Sequence, residues 1–397
     1  MEPRLQSDPP VEISSPDISS PDIASGDISA IAVPKLAEQQ QRFSPAYSLL
    51  RQAIEQHAFP GCAFGMIADG KICLLDALGR FTYEDSPAVT PVTVYDIASI
   101  TKVMATTAAA MLLHQRGTLN LDTPIGEILP GFVVGRDSSK LACKVTLRHL
   151  LAHNSGLPGY RELFRTAMTP AALYQACLSL PLEGESGTRT EYSDMGFILL
   201  GKALEMLAGD SLDGWVRHQI LKPLGMGASG FCPPASTRMA IAPTEIDHDL
   251  RERILQGEVQ DGNAFLLGGV AGHAGMFSNV PDLLRFSQAI LGARPAREKA
   301  SLFHAETVNL FAERQAPEGS SRALGWDTPS GESSAGRYFS PRSIGHLGFS
   351  GCSLWIDREA QLAIVLLTNR TWPDRAAEGI RSVRPAFHDA LRTAVQL

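Results

Sequence analysis

Ser99-Ile100-Thr101-Lys102 stands where an extended stretch, Val92-Thr93-Val94-Tyr95, gives way to a long apolar segment. The pattern predicts a helix, and on a helix residues i and i+3 share a face with Cβ atoms roughly 5–6 Å apart, so the lysine reaches a hydroxyl one turn earlier. A serine becomes a nucleophile when a neighbour takes its proton, and a lysine whose charge is disfavoured by burial or by a nearby cation is able to do so. Asp96 is placed to cap this helix, Met104, Ala108, Met111 and Leu112 supply its apolar stripe, and Arg116-Gly117 ends it. Ser99 then falls in the first turn, where unpaired N–H groups and the helix dipole favour negative charge. Four letters alone also fit an ordinary helix start, so the surrounding chain decides.

Upstream, apolar residues Tyr47, Leu49, Leu50 and Ile54 recur at helical spacing, and two strand-like runs, Cys62 to Ala68 and Lys71 to Ala77, flank the turn pair Asp69-Gly70. Downstream the pattern is loop and helix, with segments at 146–151, 170–179, 194–208 and about 211–221 and another beginning near Asp282. Strands return only late: Arg337 to Phe339, Ser343 to Leu347, Cys352 to Asp357 and Leu362 to Thr368, followed by a helix at about 376–395. This order predicts an α+β fold in which an antiparallel sheet made from both chain ends is packed by terminal helices and interrupted by a large helical insertion, with a cleft between the two parts. The α/β part is expected at about 41–104 and 300–397 and the helical part at about 105–299. Residues 1–40, with the repeat Ile13-Ser14-Ser15-Pro16-Asp17 and Ile18-Ser19-Ser20-Pro21-Asp22, are too polar to bury a core and are expected to form a disordered tail.

Composition narrows the function classes. A formal charge of −7 with no Lys/Arg cluster argues against a nucleic-acid partner. The longest apolar runs, such as Leu362 to Thr368, are strand length and far short of a membrane span. No secretory signal is recognisable, and six scattered cysteines without C-x-x-C spacing read as reduced thiols, so a cytoplasmic protein is expected, with the periplasm as the alternative if the start is misassigned. Oligomeric state is left open.

Two further motifs can share the cleft. In Tyr192-Ser193-Asp194 a phenol could relay a proton while Asp194 holds the lysine or a substrate amide; alternatively Asp194 caps the next helix and Tyr192 packs. In His346-Leu347-Gly348-Phe349-Ser350-Gly351 the glycines admit a substrate to a strand edge, the Phe349 N–H can join that of Ser99 as an oxyanion hole, and His346 could offer a cation or a donor. A plain turn with an exposed histidine is the other reading. Gly268-Gly269-Val270-Ala271-Gly272-His273-Ala274-Gly275 lacks the lysine ending of a phosphate loop, so close backbone packing is expected there. His273 with Asp261, and His149 with His153, lack the further ligands a metal needs; no metal and no cofactor is expected.

The order S-x-x-K, Y-x-D, H-L-G resembles the serine β-lactamase and penicillin-binding-protein superfamily on its class C-like branch, as do Asn120-Leu121-Asp122-Thr123-Pro124 and Thr146-Leu147-Arg148-His149-Leu150-Leu151-Ala152-His153-Asn154-Ser155-Gly156-Leu157. The resemblance covers about residues 45–395 and implies one serine hydrolase domain over 41–397. It implies Ser99 as acylated nucleophile, Lys102 as its proton partner, Tyr192 assisting the leaving group, the Ser99 and Phe349 amides as oxyanion hole, and Asp194, His346, Gly348 and Ser350 binding substrate or tuning the site. Asp194 replaces the usual Asn and adds a charge that keeps Lys102 protonated; His346 replaces the usual Lys and removes a cation that receives a β-lactam carboxylate. The stretches 259–264, 268–275 and 345–357 resemble bacterial cell-wall hydrolases of the penicillin-binding protein 4B and N-acetylmuramoyl-L-alanine amidase kind. The expected activity is acyl-enzyme hydrolysis of an amide or ester in a peptidoglycan-derived fragment or other small molecule. The alternatives are a promiscuous carboxylesterase or weak β-lactamase, and a module that binds cell-wall fragments or β-lactams without turning them over.

Overall fold

The structure, a computed structural model, describes residues 32–136, 139–298 and 301–396. Of the tail expected at 1–40, residues 1–31 lie outside these. The rest of that range is not all tail, because α1 (Leu36–Arg42) is helical and Gln39 is buried, its amide donating to the Pro34 carbonyl and its Oε1 accepting from Leu75 N. α2 (Ser44–Glu55) follows and leads into β1 (Gly61–Ala68) and β2 (Lys71–Gly79).

β1 belongs to a five-stranded sheet of order β2-β1-β10-β9-β8, where β8 is Ile344–Leu347, β9 is Ser353–Asp357 and β10 is Leu362–Thr368. Every neighbouring pair is antiparallel, and β1 meets β10 in the register Cys62↔Thr368 to Ala68↔Leu362. The sheet is therefore made from both ends of the chain, as expected. Side chains alternate between its faces. Cys62, Phe64 and Met66 of β1, with Leu362, Ile364 and Leu366 of β10, pack under α2 and the last helix, α13 (Ile380–Gln396). Ala63, Ile67, Ala363, Val365 and Leu367 face the other way, into the larger core shared with the helical region. Burial on both sides explains why these strands read as near-continuous apolar runs. At Gly65 a Cβ would come within 2.6 Å of Val280 Cγ1, so glycine lets α11 (Val280–Leu291) lie directly on the sheet.

Between the halves run α3 (Ala108–Gln115), α4 (Ile125–Ile128), α5 (Ser139–Ala142), α6 (Leu147–Leu151), α7 (Pro170–Ser179), α8 (Asp194–Ala208), α9 (Leu212–Val216) and α10 (Gly262–Leu266). α12 (Ala305–Ala312) packs against α3. The middle is not wholly helical. β3 (Tyr95–Asp96), β7 (Met276–Ser278) and β4 (Gly230–Phe231) form a small sheet, and β5 (Glu245–Asp247) pairs with β6 (Arg253–Leu255). Such two- and three-residue strands are too short to carry an alternation signal. The strand expected at Arg337 to Phe339 is irregular instead: the Gly336 and Arg337 amides bond to the Ser333 carbonyl and to Asp389 of α13, not to a neighbouring strand. Among the described residues no helix is long and apolar enough to cross a membrane.

Phe64 is fully buried, with ring centroids 5.4 Å from Tyr47 and 5.7 Å from Phe387, and so ties β1 to both terminal helices. Phe64→Ala is expected to lower unfolding free energy by about 3–5 kcal/mol, read as a reduced midpoint in urea denaturation.

Candidate active site

The segment carrying Ser99 is not a regular helix from its start. A 3₁₀ turn over Ala98–Ile100 passes into a π-helical stretch, Lys102–Thr107, before α3 begins. Ala98 takes a φ of +46°, a conformation that a non-glycine residue keeps only when its surroundings fix it. Asp96 does much of the fixing. Rather than capping a regular helix, its carboxylate accepts from Ala98 N at 2.8 Å through Oδ1 and from Gln260 N at 2.8 Å through Oδ2. Burial pushes the Asp96 carboxyl up to about 6, against the pull of those two amides.

Lys102 is fully buried, and its three N–H groups meet three acceptors: Ser99 Oγ at 3.1 Å, Asp194 Oδ1 at 2.5 Å and the His273 carbonyl at 3.0 Å. Burial alone would lower the lysine's pKa, but the charge of Asp194 and the neighbouring Tyr192 hold it above its ordinary value. The resting lysine is an ammonium with every donor used. In this state Ser99 Oγ receives a hydrogen bond from Lys102 rather than giving it one.

The second motif is held by the stretch that runs past α6. His153 Nδ1 accepts the Ser193 N–H at 3.0 Å, which puts its proton on Nε2, and its ring stacks between Tyr192 (4.5 Å) and Phe197 (4.8 Å). Burial, with the charges of Arg322 and Lys102, holds His153 well below the usual imidazole range, so it is neutral. Ser193, not Asp194, caps α8: its Oγ accepts from Gly196 N and donates to the Pro158 carbonyl. Asp194 is thereby released to face Lys102. Tyr192 lies with its ring centroid 4.8 Å from Lys102 Nζ, and burial raises its hydroxyl pKa despite the opposing pull of the lysine. It is a neutral phenol.

The third motif closes the opposite wall. Gly348 lies so near the nucleophile turn that a Cβ would stand 2.5 Å from the Ile97 carbonyl oxygen. Arg384 of α13 reaches under the turn and donates to the carbonyls of Gly348, Gly351 and Cys352. Neither the Ser99 nor the Phe349 amide donates to a protein acceptor among the described residues. Two expectations are corrected here. Ser350 does not line the cleft: it is buried, and its hydroxyl donates to the Asp96 carbonyl at 2.7 Å, bracing the two turns. His346 offers neither a cation nor a donor, because its Nδ1–H is spent on the Leu347 carbonyl at 2.8 Å and burial keeps the ring neutral, leaving an unpartnered Nε2 lone pair.

Ser99, Tyr192, Asp194, His346, Gly348 and Phe349 line one cavity of about 860 Å³, with Lys102 beneath its floor. Within the glycine stretch at 268–275 the close backbone packing expected is found at Gly272 and Gly275, while Gly268 has open space around it. A Cβ on Gly272 would meet the Phe197 carbonyl at 2.1 Å, and the Gly272 carbonyl accepts from Thr106 Oγ1. What the sequence did not disclose is that this loop also supplies the His273 carbonyl to Lys102. Asp261 and His273 bond to each other at 2.7 Å, and among the described residues no group of three or more His, Cys, Asp or Glu is placed to hold a metal.

A cleft whose floor joins a serine hydroxyl to a buried lysine is the arrangement of a serine hydrolase. The chain belongs to the beta-lactamase family, whose model matches residues 47–386. It is 33% identical over 350 residues to the N-acetylmuramyl-L-alanine amidase of Bacillus subtilis (strain 168), covering 79% of this chain and 77% of that protein. A protein of Escherichia coli (strain K12), provisionally named a D-alanyl-D-alanine carboxypeptidase, is 32% identical over 317 residues, covering 74% of this chain and 72% of the relative. Among solved structures, EstCE1, a hydrolase with promiscuous acyltransferase activity, superposes with a TM-score of 0.72 at 20% identity over 90% of this chain and all of that one.

With Asp194 replaced by Asn, burial is left as the main influence on Lys102. In Asp194→Asn the lysine should titrate at lower pH than in the parent chain, followed by the ¹³Cε chemical shift of Lys102 across a pH series.

Proposed function

We propose that this chain hydrolyses an amide of a peptidoglycan-derived fragment through an acyl-enzyme on Ser99. The observation that carries this reading is the set of three acceptors around Lys102, which links the nucleophile to a carboxylate through one ammonium. Ser99 Oγ attacks the carbonyl carbon. Its proton passes to Lys102 as Lys102 releases one of its own to Asp194, so the base is the lysine and carboxylate acting together. The unpaired amides of Ser99 and Phe349 receive the developing oxyanion. On collapse the C–N bond breaks and the leaving amine takes a proton by way of Tyr192; water then cleaves the acyl ester.

The names of the two relatives, a muramyl amidase and a provisional carboxypeptidase, support an amide substrate of cell-wall origin. The neutral His346 disfavours β-lactam turnover, because no cation stands at that position to receive the carboxylate. Six free cysteines support a reducing, cytoplasmic setting.

The test compares release of the alanine-containing peptide from a muramoyl peptide with turnover of a short p-nitrophenyl ester, alongside labelling of Ser99 by a fluorophosphonate probe. Peptide release is expected, and Ser99→Ala and Lys102→Ala should each reduce it by several orders of magnitude, close to background. Rapid ester turnover with intact muramoyl peptide would favour the carboxylesterase, and a chain that takes no label at Ser99 would be a binding module instead.

A further inference from the structure

The His273 carbonyl, 3.0 Å from Lys102 Nζ, is the one atom of the loop 268–275 that bonds to the lysine. Four of the eight residues from Gly268 to Gly275 are glycines, so this loop restrains its own backbone weakly. It is anchored on either side of His273: Thr106 Oγ1 donates to the Gly272 carbonyl at 2.6 Å, and Met276 N donates to Thr101 Oγ1 at 3.1 Å. Between those anchors only His273 has a polar side chain. Its ring is buried, its Nε2–H donates to Asp261 Oδ1 at 2.7 Å, and its Nδ1 has no partner among the described residues. A single hydrogen bond to Asp261 is therefore the whole polar hold on that ring.

Asp261 is itself fixed from several sides. The same Oδ1 accepts from Ala264 N at 2.8 Å and so caps α10. One residue earlier, Gln260 N donates at 2.8 Å to Asp96 Oδ2, on the carboxylate that also holds Ala98 before the nucleophile. Two residues later, Asn263 accepts from Phe164 N and donates to the Arg161 carbonyl. The segment 260–263 is thus bonded to the turn that carries Ser99 and, through His273, to the residue whose carbonyl Lys102 uses. An ammonium with three acceptors is fixed about its Cε–Nζ bond; with one acceptor withdrawn, the buried nitrogen is free to shift from Ser99.

We propose that Asp261 is a positioning residue for the reaction: by holding the His273 ring it keeps the His273 carbonyl on Lys102, and so keeps the lysine's other donors on Ser99 and Asp194. In this role neither Asp261 nor the His273 ring touches the reacting atoms; both act through the lysine. The inference rests on the hydrolase reading above, in which Lys102 takes the Ser99 proton.

The second-order rate at which a fluorophosphonate probe labels Ser99 tests this without requiring turnover. Asp261→Ala should slow labelling about tenfold or more. Asp261→Asn keeps an oxygen that accepts from both His273 Nε2 and Ala264 N, and should recover most of that loss. His273→Ala leaves the α10 cap intact and should slow labelling as much as Asp261→Ala, and the double variant should be no slower than either single one. Urea midpoints establish which variants are folded; if Asp261→Ala is not, His273→Ala set against Asp261→Asn decides. Labelling of His273→Ala at the parent rate overturns the inference. Asp261→Asn as slow as His273→Ala also overturns it, because the charge of Asp261 and not its hydrogen bond would then matter, and so does additive slowing in the double variant. Each of these leaves the hydrolase reading intact, whereas a parent chain that takes no label at Ser99 overturns that reading, and this inference with it.

Discussion

A lysine with no exposure to solvent keeps its charge only where the protein replaces the water it has lost. Around Lys102 that replacement comes from three distant parts of the chain. The nucleophile turn brings Ser99 Oγ, the start of α8 brings Asp194 and the glycine loop before β7 brings the His273 carbonyl. Each had to be delivered to within hydrogen-bonding distance of one nitrogen. The close glycine packing at Gly272 and the Ser193 cap are the local means of delivery. The ammonium is thus the point at which the Ser99 turn, the start of α8 and the glycine loop are made to agree.

Asp194 and His346 redistribute charge in opposite senses. Asp194 brings a negative charge to the lysine, and His346, neutral and bonded to the Leu347 carbonyl, withholds a positive one from the cleft wall. The guanidinium nearest Tyr192, that of Arg322, lies 5.0 Å from its ring centroid and pairs with Asp327 at 3.8 Å.

Much of this was legible in the sequence, for identifiable reasons. The runs 62–68 and 362–368 are buried on both faces and so are apolar almost throughout, and Asp69-Gly70 marks the hairpin to the half-buried edge strand that follows at 71–77. Ser99 and Lys102 stood at a spacing that implied proximity, whereas the place of Tyr192 and Asp194 beside them was one of two readings of the residues and followed otherwise from the family resemblance. Other features left no local trace. The π-helical turn at Lys102–Thr107 depends on what packs against it, β4 to β7 are too short to alternate, and Ser350 looks like a cleft residue until its hydroxyl is found on the Asp96 carbonyl.

The pairing of β1 with β10, and the grip of Arg384 on the turn after β8, have a consequence in time as well as in space. Ser99 leaves the ribosome long before the strand that forms its cleft wall and the helix that steadies that wall. Until β10 and α13 follow, the nucleophile has no opposing amide at Phe349 and its segment has no sheet to rest on. Contacts of such long sequence separation are slow to form. The cleft around Ser99 is therefore complete only once the two ends of the chain have met.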